Sequence, residues 1–148
     1  MSLFEKLNSD LKAAMKGGNK ERVEVLRFLL AGLQAAQKEK SMKEPGAALT
    51  DEEVISNLQK EAKRRKEAID LFRQGKRDDL VKKEEGDLEV IYEYIPKALS
   101  EVEIEKIVDD LKAQGLNDFN AIMKEAMKLV KGRADGKTVG DIIKKKLG

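Results

Sequence analysis

The stretch "KGRADGKTVG", residues 131–140, sets three glycines, two lysines, an arginine and an aspartate into ten positions of a chain that otherwise reads as almost continuous helix. Two chemistries fit it. A helix N-terminus whose free amides lie beside Lys131, Arg133 and Lys137 is a cradle for a phosphate or another oxyanion. In that reading Gly132, Asp135, Gly136 and Thr138 form the anion-binding turn, and Lys128 adds a further cation. The plainer reading uses the same residues as punctuation: Gly132 ends one helix, Asp135-Gly136 turns the chain, and Thr138 with Asp141 caps the next helix. From Lys124 to the end, eight cations stand against three carboxylates, the kind of local excess that phosphate binding uses. The sequence is read as a turn that also offers an anion seat.

A second basic run, "KEAKRRKEAIDLFRQGKR" at 60–77, is helical in pattern. At 100° per residue, Lys60, Lys63 and Arg64 share the face opposite the apolar seam, with Lys66 and Arg73 at its border. Phosphates fit such a face. So does plain solvation, because Lys63–Glu67 and Lys66–Asp70 have the spacing of i,i+4 pairs. Arg65 falls in the apolar row itself and needs a carboxylate from a neighbouring helix, Glu84 or Glu85. The pairs Asp78-Asp79 and Glu84-Glu85 have the chemistry for magnesium or acid–base work, although acidic residues are expected where Asp78 and Asp79 start a helix. "GKRDDL" lacks the spacing of a phosphate loop.

The chain contains no histidine and no cysteine. Histidine bases, cysteine nucleophiles, Ser-His-Asp triads, Cys/His zinc sites and disulfides are thereby excluded. No cofactor and no metal site is expected. Thirty cations against 28 carboxylates argue against coating nucleic acid by bulk charge and leave only a local basic patch. The N-terminal "MSLFEKLNSDLKAAMKGG" has no signal-peptide profile, and the apolar run Val25–Ala36 is too short to span a bilayer. A soluble cytoplasmic protein is expected, with no membrane partner.

These residues must be positioned by helices, since no strand alternation persists. Ser2 with Glu5, Thr50 with Glu53, and Ser100 with Glu103 have capping-box spacing. Gly17-Gly18, Gly75, Gly115 and Gly132 suit the left-handed position after a last turn. The predicted helices run near 3–16, 20–40, 51–74, 78–94, 101–114, 118–131 and 137–147. The first carries Leu3, Leu7, Leu11 and Met15 on one apolar face, and the second, apolar over a wide arc that includes Phe28, is placed at the centre of its bundle. Gly86, inside the fourth, marks a bend or the close approach of another helix. The expected fold is all-α: a helical bundle of about four helices in an N-terminal domain, 1–95, followed by a small three-helix domain, 96–148.

"RKEAIDLFRQGKRDDLV" (65–81), "YIPKALSEVEIEKIV" (94–108) and "KGRADGKTVGDIIKKKL" (131–147), in this order, resemble the GatB/YqeY family. These are small stand-alone proteins similar to the C-terminal region of the B subunit of the tRNA-dependent amidotransferase. The likeness covers nearly the whole chain and departs at Gly86-Asp87, where alanine-glutamate is expected, a difference of local packing. The resemblance implies a larger helical part and a three-helix tail, in which Lys131, Gly132, Arg133, Ala134, Asp135 and Gly136 match the family's tail motif. It implies a tRNA-holding appendage, and similar domains are appended to some glutaminyl-tRNA synthetases. The family description also implies carbon–nitrogen ligase activity with glutamine as amido donor. Nothing like a serine-serine-lysine amidase centre is visible, since Ser2, Ser9, Ser41, Ser56 and Ser100 are the only serines. Three functions follow in order: a tRNA-binding module without autonomous catalysis, using Lys128, Lys131, Arg133 and Lys137 with Lys60, Lys63 and Arg64 as a second patch; an adaptor docking on an aminoacyl-tRNA synthetase or amidotransferase subunit; and an amide-transfer enzyme.

Overall fold

The computed structural model describes residues 1–148, and its elements are all helices: α1 (Leu3–Lys16), α2 (Lys20–Lys43), α3 (Asp51–Gln74), α4 (Asp78–Tyr92), α5 (Glu101–Ala113), α6 (Phe119–Val130) and α7 (Gly136–Leu147). The chain divides into two compact units, Met1–Ile95 and Pro96–Gly148. No helix is long and apolar enough to cross a membrane.

Side chains at the starts do what their spacing predicts. Ser2 and Thr50 each accept the amide three residues on, and Glu5 and Glu53 return the bond to the cap's own amide. Ser100 makes the outward half of the same box to the Glu103 amide, at 3.2 Å. The ends differ more. α2 continues to Lys43, because Pro45 bars helical backbone only from the residue before it. α4 stops at Tyr92, two residues early. Ahead of Pro96, Glu93 and Tyr94 bond back three residues, to Val90 and Ile91, in the tighter winding common to last turns. After α3 the left-handed residue is Lys76, φ 56°, and not Gly75.

In the first unit Leu7, Leu26, Leu33, Leu58 and Ile91 are without solvent exposure, and burial of each such side chain contributes about 1.5–3 kcal/mol. Met15 and Phe28, both expected inside, are half exposed, at 51% and 52%. Ala14 is buried on α1 instead. The loop after α2 is tied down by Gln37, whose amide donates to the Ala47 carbonyl and accepts from the Leu49 amide. Tyr94 fastens the chain beyond α4: its hydroxyl donates to Asp10 of α1 at 2.6 Å and accepts from Arg22 of α2 at 3.2 Å. Burial, then the hydrogen bond to Asp10, pushes the phenol well above its ordinary value of 10.

In the second unit all three helices pack on one another. Ile104, Val108 and Leu111 of α5 meet Ile122, Ala126 and Val130 of α6 and Val139, Ile142 and Ile143 of α7. That core is continuous and contains no charged residue.

Gly86 does not mark the close approach of another helix, since a Cβ built there meets nothing within 4 Å. Gly86→Ala should therefore raise stability by about 1 kcal/mol, the propensity difference alone, read as a higher urea midpoint at unchanged slope. The Tyr94 phenol is held neutral in the fold, so its contribution is complete below pH 10 and declines as pH rises above that, where the unfolded chain ionises first. Urea midpoints measured from pH 8 to 11 should fall less steeply in Tyr94→Phe than in the parent.

Candidate functional site

The turn after α6 is built by two successive left-handed residues, Lys131 at φ 48° and Gly132 at 77°. Arg133 then bonds its amide to the Val130 carbonyl at 2.9 Å. Its own carbonyl accepts from the Leu99 amide at 2.8 Å, and its Nε donates to the Lys97 carbonyl at 3.0 Å. Arg133 thus ties the turn to the segment that leads into α5. The cap of α7 is Asp135, whose carboxylate accepts the Thr138 amide at 2.7 Å. This corrects the expectation that Thr138 and Asp141 form the cap. Aspartate is among the strongest cap formers and its charge favours the helix start, so the protein's own carboxylate sits where an external anion was expected. Gly136 and Thr138 are helical residues, and Thr138 supplies a donor to Asp135.

The cations around this turn spread along α6 and α7. Lys128 reaches Glu125 at 3.3 Å. Lys146 reaches Asp109 of α5 at 3.2 Å, and Lys144 lies 5.9 Å from the centre of the Phe119 ring. Lys131 and Lys137 are exposed. On α3, Lys60, Lys63 and Arg64 are exposed on one side as the periodicity places them. Arg64 pairs with Glu61 at 3.3 Å, Lys63 is engaged as well, and Lys66 lies over the Tyr92 ring at 5.3 Å.

The most organised polar cluster of the first unit surrounds Arg65. Its guanidinium reaches Glu61 at 3.2 Å, Glu84 at 3.2 Å and Asp87 at 2.9 Å, and lies 5.1 Å from the centre of the Phe28 ring. Of the two carboxylates expected to receive it, Glu84 does, while Glu85 reaches Arg73 at 3.6 Å. Asp87 is the one buried charged residue of the chain. It also receives Lys83 at 3.3 Å, and Lys83 reaches Glu24 of α2 at 3.5 Å. The hydrogen bond to Asp87 raises the Lys83 ammonium above its ordinary range. Beside this network α2, α3 and α4 leave a cleft of about 430 Å³. No group of three or more carboxylates converges to hold a metal ion.

Sequence reasoning missed Asp87 and the exposure of Phe28. The first had a signal: Asp87 lies four residues before Ile91, on the buried stripe of α4, just as Arg65 lies on that of α3. Two opposite charges interrupting the seams of neighbouring helices point to each other. Phe28 had none, because a wide apolar arc does not say which of its members the neighbours fail to cover.

A family model described as Yqey-like protein matches residues 4–147. A protein of Pyrenophora tritici-repentis named Altered inheritance of mitochondria protein 41, mitochondrial, is 32% identical over 138 residues, 89% of this chain and 73% of that protein. The protein of that name from Saccharomyces cerevisiae strain S288c is 31% identical over 114 residues, 73% of this chain and 60% of its own length. A Schizosaccharomyces pombe protein described as uncharacterized is 29% identical over 96 residues, 65% of this chain and 74% of its own length.

Removing the guanidinium would leave Glu61, Glu84 and Asp87 facing one another around an unfilled gap. Arg65→Gln should cost about 3 kcal/mol at neutral pH, measured by urea unfolding. A loss under 1 kcal/mol would mean that water replaces the network.

Proposed function

The chain belongs to the Yqey-like protein family, and on that footing we propose that it is a binding module without catalysis of its own that holds tRNA through the lysines of its C-terminal unit. The supporting observation is the excess of eight cations over three carboxylates from Lys124 onward, with Lys131 and Lys137 exposed beside the turn. The resemblance to the tRNA-holding region of the amidotransferase B subunit points the same way. Because Asp135 caps α7, the contact is assigned to lysine side chains and not to helix amides. Lys128 joins them: its pair with Glu125 is exposed on both sides, 63% and 44%, and such pairs contribute at most about 1 kcal/mol, little enough for a phosphate to displace. Lys60, Lys63 and Arg64 form the second patch of this reading, on a face that is more fully balanced by its own carboxylates.

The amide-transfer reading rests on the family description alone. Ser2 and Ser100 are committed as helix caps, and Ser41 accepts from Gln37 at 2.9 Å. The proposed setting is an aqueous compartment that contains tRNA. The cytoplasm expected from the sequence is one, and the mitochondrial names of two relatives suggest another.

Fluorescence anisotropy with labelled tRNA, run over a series of salt concentrations, tests the reading. Affinity should fall linearly on a log–log plot, and Lys131→Glu with Lys137→Glu should reduce the slope by about 0.9 for each duplex phosphate no longer neutralised. Absence of binding at low salt, or a slope unmoved by the double change, would sink the proposal. A partner captured after nuclease treatment by the parent and the double variant alike would favour the adaptor.

A further inference from the structure

The cleft of the first unit is lined by charges that mostly neutralise one another. Arg65 is bonded to Glu84 and Asp87, and Lys83 to Asp87 and Glu24. Arg27 is the exception. It lines the cleft without a carboxylate partner, is exposed, and its Nη2 lies 4.0 Å from the sulfur of Met15 on α1. Its neighbour Phe28 is held against the Arg65 guanidinium and still leaves 52% of its surface open. A ring fixed by a cation–π contact, with area to spare, is a preformed stacking surface.

The chemistry selects among occupants. A cationic ligand would need carboxylates that already hold Arg65 and Lys83, and would have to break those bonds. A wholly apolar ligand would cover Phe28 but make no use of the exposed Arg27 beside it. A planar ring bearing an anionic group satisfies both residues at once. The cleft's volume, about 430 Å³, lies within the range of small-ligand sites.

We propose that this cleft binds a nucleotide, with its base stacked on Phe28 and its phosphate on Arg27, supplied either as a free mononucleotide or as an unpaired residue of an RNA. The site uses residues of the first unit alone and is independent of the C-terminal lysines. The full chain is titrated with AMP, with GMP and with a single-stranded RNA pentamer, while protein and ligand chemical shifts are followed. Saturable shifts at Glu24, Val25 and Phe28, with the base protons moved upfield by the ring, are expected. Phe28→Leu and Arg27→Gln should each weaken binding about tenfold, and Phe28→Tyr should retain it. Saturation by mononucleotides identifies the free ligand as the source, and saturation by the pentamer alone identifies RNA. The proposal is overturned if none of the three ligands perturbs this cleft. It is equally overturned if a basic peptide binds there instead, or if Phe28→Leu binds like the parent. Because the C-terminal lysines take no part, the tRNA reading can fail while this site stands, and the reverse.

Discussion

A guanidinium lies inside an apolar seam, and much of the first unit is arranged around it. Arg65 is 11% exposed at its side chain, and a charge so placed is tolerated only if its donors are met. Nε goes to Glu61 on its own helix, while Nη1 reaches across to Glu84 and Asp87 on α4. An apolar residue would fill the same space at lower desolvation cost. What the charge adds is register. Sliding α4 along α3 by one turn, about 5.4 Å, would carry both carboxylates out of reach and strand the guanidinium. The same group fixes the Phe28 ring, so the packing of α3 on α4 also shapes the cleft beside α2.

The second unit solves its polar problem at a helix end. Its core is continuous and uncharged, and the demanding place is the change of direction between α6 and α7. Two left-handed residues reverse the chain there, Arg133 anchors the turn through backbone carbonyls, and Asp135 closes the start of α7. A segment rich in glycine and positive charge looks like a phosphate loop until the one carboxylate within it is located. That carboxylate completes the turn from inside. Lys131 and Lys137 are left exposed beside a settled backbone; on the reading proposed above they would meet phosphates and read no sequence.

The helices were legible because their signals are local. Capping boxes at Ser2 and Thr50 set the starts of α1 and α3 on the residues expected, and the prolines bounded the loops. The all-α class follows from the same patterns, while the family was legible in the ordered motifs at 65–81, 94–108 and 131–147. Choices decided between helices were less legible. Phe28 and Met15 carry the same periodicity as their buried neighbours, and only the width of what packs on them leaves them half exposed. Asp87 reads as a charged interruption until Arg65 is placed opposite. At α7, aspartate and threonine both have cap chemistry, and the choice went to Asp135 because the turn set helical geometry one residue earlier than the apolar pattern suggested.

The two units differ in the range over which they can act. Residues 1–95 carry nineteen cations and nineteen carboxylates, many of them paired, and at physiological salt such a surface has little field beyond a Debye length of about 8 Å. Recognition there must come from contact, and an open ring beside an unpaired guanidinium is contact chemistry. Residues 96–148 carry eleven cations and nine carboxylates, but they are sorted: α5 holds Glu101, Glu103, Glu105, Asp109 and Asp110, while the lysines concentrate on α6, the turn and α7. Beyond the shared apolar core, the pair of Lys146 with Asp109 and the bond from Lys112 to the Lys146 carbonyl join α5 to α7. On the tRNA reading proposed above, a unit sorted in this way would orient toward the polyanion before touching it. On the two proposals above, the sorted unit would serve capture and the balanced unit discrimination once its ligand is in contact.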